Sequence, residues 1–149
     1  MSEVWFYHLE GVSLERVLPD LLEKTLARKW RALVKCGAEE RLDALDAALW
    51  TYRDDTFLPH GRANERTAER QPILLTLADD NPNGANVLFL VDGAACDDPS
   101  PFERCISVFD GRDEAAVEQA RGFWKSAKAQ GHEISYWRRA PEGGWRKQS

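Results

Sequence analysis

Long apolar runs are missing from this sequence: no stretch approaches the ~18 residues that a membrane-crossing helix requires. The first ten residues, MSEVWFYHLE, hold acids and no basic cluster, so no secretory leader is expected there. Cysteine is scarce and unpaired in pattern. Cys36, Cys96 and Cys105 form no C-x-x-C motif, which excludes a disulfide framework and predicts reduced thiols in the cytoplasm. Histidine is equally sparse. His8, His60 and His132 are dispersed without zinc-ligand spacing, so no metal site is expected. Phosphate-binding loops are absent too: there is no G-x-x-x-x-G-K-[ST], and no G-x-G-x-x-G between a strand and a helix. After the first strand the chain reads Leu9-Glu10-Gly11-Val12-Ser13, with an acid where a phosphate would need bare N–H groups. A G-x-S-x-G nucleophile elbow is missing as well. No cofactor is therefore expected.

What is present is enough for a globular core. The chain has 149 residues, of which 43% are hydrophobic and 30% charged, the balance of one soluble domain spanning 1–149. The net charge of −5 conceals an asymmetry. Residues 1–120 hold 13 Lys+Arg against 23 Asp+Glu, a net of −10, whereas residues 121–149 hold 7 against 2, a net of +5. An acidic bulk argues against wrapping nucleic acid, so no direct nucleic-acid partner is expected and naked single-stranded DNA should bind weakly or not at all. The basic end suits a local acidic partner or a solvated tail.

Strand and helix signals alternate along the chain. Val4–Leu9 is aromatic and branched, a strand signature. Ser13 is placed to cap a helix in which Leu14, Val17, Leu18, Leu21, Leu22 and Leu26 follow the helical period. Residues 32–36 predict a second strand. Glu39 and Glu40 then open a second helix, with Leu42, Leu45, Leu49 and Trp50 as its inner face. Residues 51–72 read as a long polar surface connection with one apolar cluster, Phe57-Leu58-Pro59. Residues 73–77, 87–91, 105–109 and 133–137 predict four more strands, the first two continuous enough to be buried on both faces. A helical turn is expected through Phe102 and Glu103. Asp113–Gln130 is the strongest helix, stopped by Gly131. The tail after about residue 138 is expected to be loosely ordered. This order predicts an α/β domain: a mostly parallel sheet with helices on both faces, nucleotide-binding-like but lacking a phosphate-binding loop.

Two surface features carry candidate function. On the helix over 113–130, at about 100° per residue, Ala116, Ala120, Phe123 and Ala127 share the stripe that should meet the sheet. Arg121, Lys125 and Lys128 share a second stripe, flanked by Val117 and Trp124. Cations beside an apolar ring suit a short peptide with carboxylates and an aromatic end group. The plainer alternative is a solubilising face with Trp124 tucked against the sheet edge. The second feature joins Trp50 to Phe57, Leu58, Pro59 and His60, either a local cap on the core or an exposed patch for a protein partner. Asp92-Gly93 and Asp110-Gly111 lie at strand ends, where open α/β sheets place their sites. They admit an alternative reading as a small enzyme such as a nucleotide hydrolase, although turn chemistry explains both pairs.

The pattern Phe6-Tyr7-His8-Leu9, Arg41-Leu42-Asp43 leading to Leu49-Trp50, then Phe57-Leu58-Pro59-His60-Gly61 resembles the chi subunit of bacterial DNA polymerase III. So do Gln71-Pro72-Ile73-Leu74-Leu75-Thr76, Val91-Asp92-Gly93, Phe109-Asp110-Gly111 and Ala120-Arg121-x-x-Trp124-Lys125, all in order. The resemblance implies a non-catalytic accessory subunit of the clamp-loader complex in DNA replication, without a working phosphate loop. It implies two partners. One is the psi subunit, which links the chain to the clamp loader. The other is the acidic, phenylalanine-ended C-terminal tail of single-stranded DNA-binding protein. Arg121, Trp124 and Lys125 match family positions in the helix that supports tail binding, and Lys128 joins them from the helical wheel. Phe57 and its neighbours match the segment implicated in contact with psi or helicase-type partners. A bacterial, cytoplasmic, replisome-associated protein is the resulting expectation.

Overall fold

A computed structural model describes residues 2–51, 59–63, 65–139 and 145–147. Its centre is one eight-stranded sheet. The strands are β1 (Glu3–Leu9), β2 (Ala32–Cys36), β3 (Gly61–Arg62), β4 (Ile73–Thr76), β5 (Val87–Val91), β6 (Arg104–Asp110), β7 (Glu133–Arg139) and β8 (Trp145–Lys147). The helices are α1 (Leu14–Ala27), α2 (Glu39–Trp50) and α3 (Glu114–Ala129). The spatial order is β3-β4-β2-β5-β6-β1-β7-β8. Seven strands run parallel, and only β8 pairs antiparallel, with β7.

Parallel strands need crossovers, and the crossovers cover both faces. On one face, Leu18, Leu21 and Leu22 of α1 and Leu42, Leu45 and Leu49 of α2 bury against Val34, Leu75, Phe89 and Val108. On the other, Ala120 and Ala127 of α3 bury against Val4, Phe6, Leu88 and Cys105. The central strands are apolar throughout because both sides are covered: every residue of β4 and β5 is buried. The predicted fold class holds. α1 leaves β1 on the first face and α3 leaves β6 on the second, so adjacent strands send their helices opposite ways. A crevice opens there, beyond the carboxyl ends of the strands.

Several details differ from the sequence reading. Trp50 is not part of the inner face of α2. It is 57% exposed, because it lies about 100° around the helix from buried Leu49. Ser13 occupies the N-cap position of α1 but makes no side-chain cap bond. The strand at 73 stops at Thr76, and Leu77 is 46% exposed. Phe102 lies in a turn, its N–H bonded to Pro99 O at 3.0 Å, rather than in a helix. The connection over 51–72 contributes β3, in register with β4 through Gly61 and Leu74. The tail, expected to be loose, contributes β8, with Arg139 paired to Trp145. α3 ends as expected: Gly131, at φ 84°, takes the left-handed turn, while His132 N–H bonds Ala127 O and Gly131 N–H bonds Lys128 O.

Candidate functional site

The outer side of α3 gathers the residues singled out on that helix. Asp113 starts the helix by accepting from the N–H groups of Ala115 and Ala116 at 3.0 and 3.3 Å. The alanine stripe then lets α3 approach the sheet closely, with Ala127 fully buried. This fixes the rest of the wheel. Arg121, Lys125 and Lys128 are exposed, and Val117 and Trp124 are half-buried against the second core cluster. Trp124 is thus partly tucked and partly open. Lys128 Nζ lies 4.6 Å from its ring centroid, a cation–π contact. Arg121 meets Glu118 at 3.7 Å, but both side chains are more than two-thirds exposed, so solvent screens that pair. Among the described residues Lys125 has no ion-pair partner.

Two residues missed in the sequence lie below this stripe. Tyr136 of β7 bonds His8 Nδ1 of β1 through its hydroxyl at 2.6 Å. Gly111 accommodates that histidine: a Cβ there would fall 1.8 Å from His8 Nε2. Phe6 connects the layer to α3, 6.2 Å from Tyr136 and 5.6 Å from Phe123. Burial pushes the Tyr136 hydroxyl up, with nearby Arg138 and Arg121 pulling it back. Burial also holds His8 below the usual imidazole range, aided by Arg138 and opposed by Glu10 and Asp110. Cross-strand neighbours cannot be read from local spacing, and only the alternation of β1 and β7 placed these side chains on the α3 face.

The second sequence feature is only partly described, since Phe57 and Leu58 lie outside the described residues. Trp50 and His60 do meet, with ring centroids 4.7 Å apart. The His60 side chain is fully buried, and its Nε2 lies 2.9 Å from Asp46 Oδ1. Asp46 Oδ2 in turn receives Arg62 Nη2 at 2.8 Å, and Arg62 Nη1 reaches Asp43 at 2.5 Å. This network fastens the chain after Pro59, itself half-buried, onto α2. Beside it Trp50 presents a large, mostly exposed apolar ring.

The carboxyl-edge crevice has a cavity volume of about 1130 Å³. Its charges are tied to one another. Arg41 bridges Glu15 and Asp92, the latter at 3.2 Å. Asp92 sits in a turn at φ 51°, and Gly37 lets that turn close in: a Cβ on Gly37 would be 1.9 Å from Asp92 O. Asp110 Oδ1 accepts from Arg112 N–H at 2.9 Å. The α3 N–H groups that would greet a phosphate are already bonded to Asp113. Asp92 and Asp110 therefore have structural partners, which favours their reading as turn residues over catalysts.

No metal-ligating group of three or more His, Cys, Asp or Glu occurs among the described residues. Burial pushes the Cys36 thiol up to about 12 and raises Cys105 well above the usual thiol range, so both are poor nucleophiles. No described helix is long and apolar enough to cross a membrane.

Residues 1–135 match the family described as DNA polymerase III chi subunit. The chain belongs to the DNA polymerase III chi subunit family. A relative from Rickettsia prowazekii (strain Madrid E), named as a probable DNA polymerase III subunit chi, is 28% identical over 91 residues. That alignment covers 61% of this chain and 55% of the relative, so the chain spans about half of the relative's length. The chi match includes the whole α3 face. It ends within β7, leaving Tyr136 to Arg139 and β8 beyond it.

Proposed function

We propose that this chi subunit is a non-catalytic adaptor of the DNA polymerase III clamp-loader complex in the bacterial cytoplasm. It holds the acidic, phenylalanine-ended C-terminal tail of single-stranded DNA-binding protein on the outer side of α3, and reaches single-stranded DNA chiefly through that protein. The observation that carries the reading is the exposed Arg121–Lys125–Lys128 stripe beside the half-buried Val117 and Trp124. Arg121 offers a planar fork to one carboxylate, and the two lysines add looser charge attraction. Val117 and the Trp124 ring border an apolar seat for the terminal phenylalanine. The corner formed by Trp50, Pro59 and His60, with Phe57 and Leu58 next in sequence, is the proposed contact for psi or another replication partner. The 57% exposure of Trp50 on a hydrogen-bonded base supports that use.

Titration with the tail peptide tests the α3 site. Arg121→Ala should weaken binding about ten- to a hundredfold, the ~1.5–3 kcal/mol of a hydrogen bond to a charged group. Arg121→Lys should recover only part of that loss. Removing the terminal phenylalanine should abolish the component of binding that survives salt. Equal binding by wild type, Arg121→Ala and Lys125→Ala, all with unchanged melting, overturns the assignment.

A further inference from the structure

On the α1/α2 side of the sheet, α1 and α2 pack chiefly over β2, β4 and β6. The outer strands β1, β7 and β8 present an aromatic surface on the same side. Trp5 and Tyr7 of β1, Trp137 of β7 and Trp145 of β8 adjoin: Trp5–Trp137 at 5.8 Å, Trp5–Tyr7 at 6.1 Å and Tyr7–Trp145 stacked at 4.2 Å. Trp30, just before β2, extends the row. The four tryptophans are half-buried where they pack against the core, and Trp137 Nε1 is buried without a hydrogen-bond partner. Cations alternate with the rings. Arg28 lies 4.1 Å from the Trp30 ring, and Arg104 lies 3.8 Å from Trp5 and 5.2 Å from Trp30. Lys147 lies 5.9 Å from Trp137, and Arg139 lies 5.8 Å from Trp145.

We propose that this belt of rings and cations is a contact site for single-stranded nucleic acid, separate from the α3 face. The chemistry matches unit by unit. Successive bases offer flat π-faces to aromatic rings on an open sheet, while the phosphates between them suit interleaved Arg and Lys. An acidic peptide would use the cations but would bring few rings for the four half-buried tryptophans, Tyr7 beneath Trp145 being part of the core. Charge limits the contact to a local one. Glu3 pairs with Arg104 at 3.5 Å and accepts from Trp5 Nε1 at 3.1 Å, and Glu133 is exposed at the start of β7. The acidic body repels the remainder of a strand, so affinity is low. The expectation of no direct nucleic-acid partner followed from charge averaged over 1–120, which cannot register a belt completed by Trp137, Arg139, Trp145 and Lys147. Those four residues also lie beyond the chi match, so the belt is not implied by family membership.

The full chain titrated with a short thymidine oligonucleotide at low salt tests this, read by tryptophan quenching and by anisotropy of a labelled strand. Saturable binding is expected, with a salt slope of about −0.7 per phosphate engaged, or about −2 for three. Lys147→Glu and Arg139→Glu should each weaken it about fivefold or more, with melting unchanged, and Trp145→Leu should reduce the quenching. Arg121→Ala should leave oligonucleotide binding intact, and Lys147→Glu should leave tail-peptide binding intact, so the two sites fail separately. Absence of saturable binding at low salt overturns the proposal. So does equal competition by a glutamate peptide of matched charge, which would make the belt a protein-binding surface. An Arg121→Ala effect as large as that of Lys147→Glu overturns it as well.

Discussion

The carboxyl-edge crevice and the outer side of α3 are built from similar residues, yet they differ in how charge is disposed. In the crevice Arg41 is shared between Glu15 and Asp92, Asp110 closes a turn, and Asp113 covers the helix start. On α3 the cations face solvent, and among the described residues their ion pairing is limited to the screened Arg121–Glu118 contact. Charges bonded within the fold hold it together and have little left for a ligand. Charges left in water are available for recognition. An α/β sheet of this order invites a nucleotide at its switch point, but in this chain the charged residues there are paired within the fold, and the proposed recognition surface lies on a helix flank.

Substitutions should separate the two regions. The largest effect is expected from Gly37→Ala, which forces a Cβ into the Asp92 carbonyl. It should cost about 3 kcal/mol or more in urea melts, while tail binding per folded molecule is unchanged. A tolerated alanine would show that the crevice wall yields easily. Asp113→Ala links the regions, since this residue belongs to the crevice and caps α3. A loss of about 1 kcal/mol is expected, restored by Asp113→Ser. No phosphate affinity should appear in thermal-shift assays, because Asp110 and Asp92 remain. A rise in melting temperature with added nucleotide would instead revive the enzyme reading.

The smallest expected effect is a pH dependence beneath α3. His8 is held below its usual range, so the unfolded chain takes up a proton first as pH falls. Its contribution to stability is complete above about pH 6.5 and declines as pH drops below that value toward the lowered folded one. His8→Gln should flatten the stability-versus-pH slope in that window, read from urea melts at several pH values. An unchanged slope would assign the acid sensitivity to other groups.

Much of this fold could be read in the sequence because its signals are local. The continuous apolar runs of β4 and β5 and the period of α3 report burial through nearest neighbours. β3 could not be read: two residues, Gly61 and Arg62, become a strand only because Leu74 and Leu75 of β4 offer them a ladder. β8 was hidden for a similar reason, since its pairing with Arg138 and Arg139 outweighs the polar character of a short tail. At the α3 site the helical wheel supplied Arg121, Trp124, Lys125 and Lys128. Tyr136 and His8 needed the β1–β7 register, which aligns Phe6 with Tyr136 and His8 with Arg138. Trp50 reads both as part of the inner face of α2 and as part of a cap or exposed patch with Phe57, and the 100° step from Leu49 turns it outward.

The way the sheet ends bears on how such a subunit can associate. Each parallel strand exposes a row of backbone donors and acceptors unless a neighbour covers it, and an uncovered edge recruits other strands. Here β8 covers the last three residues of β7 in antiparallel pairing, and exposed Lys147 puts a cation on that rim. At the opposite rim β3 offers only two residues. Among the described residues β8 pairs only Trp137–Arg139, so Glu133–Tyr136 of β7 form an edge that β8 does not cover. Short rim strands of this kind limit how much backbone the sheet can offer to another strand, and they leave contact with other proteins chiefly to side chains, where sequence sets specificity.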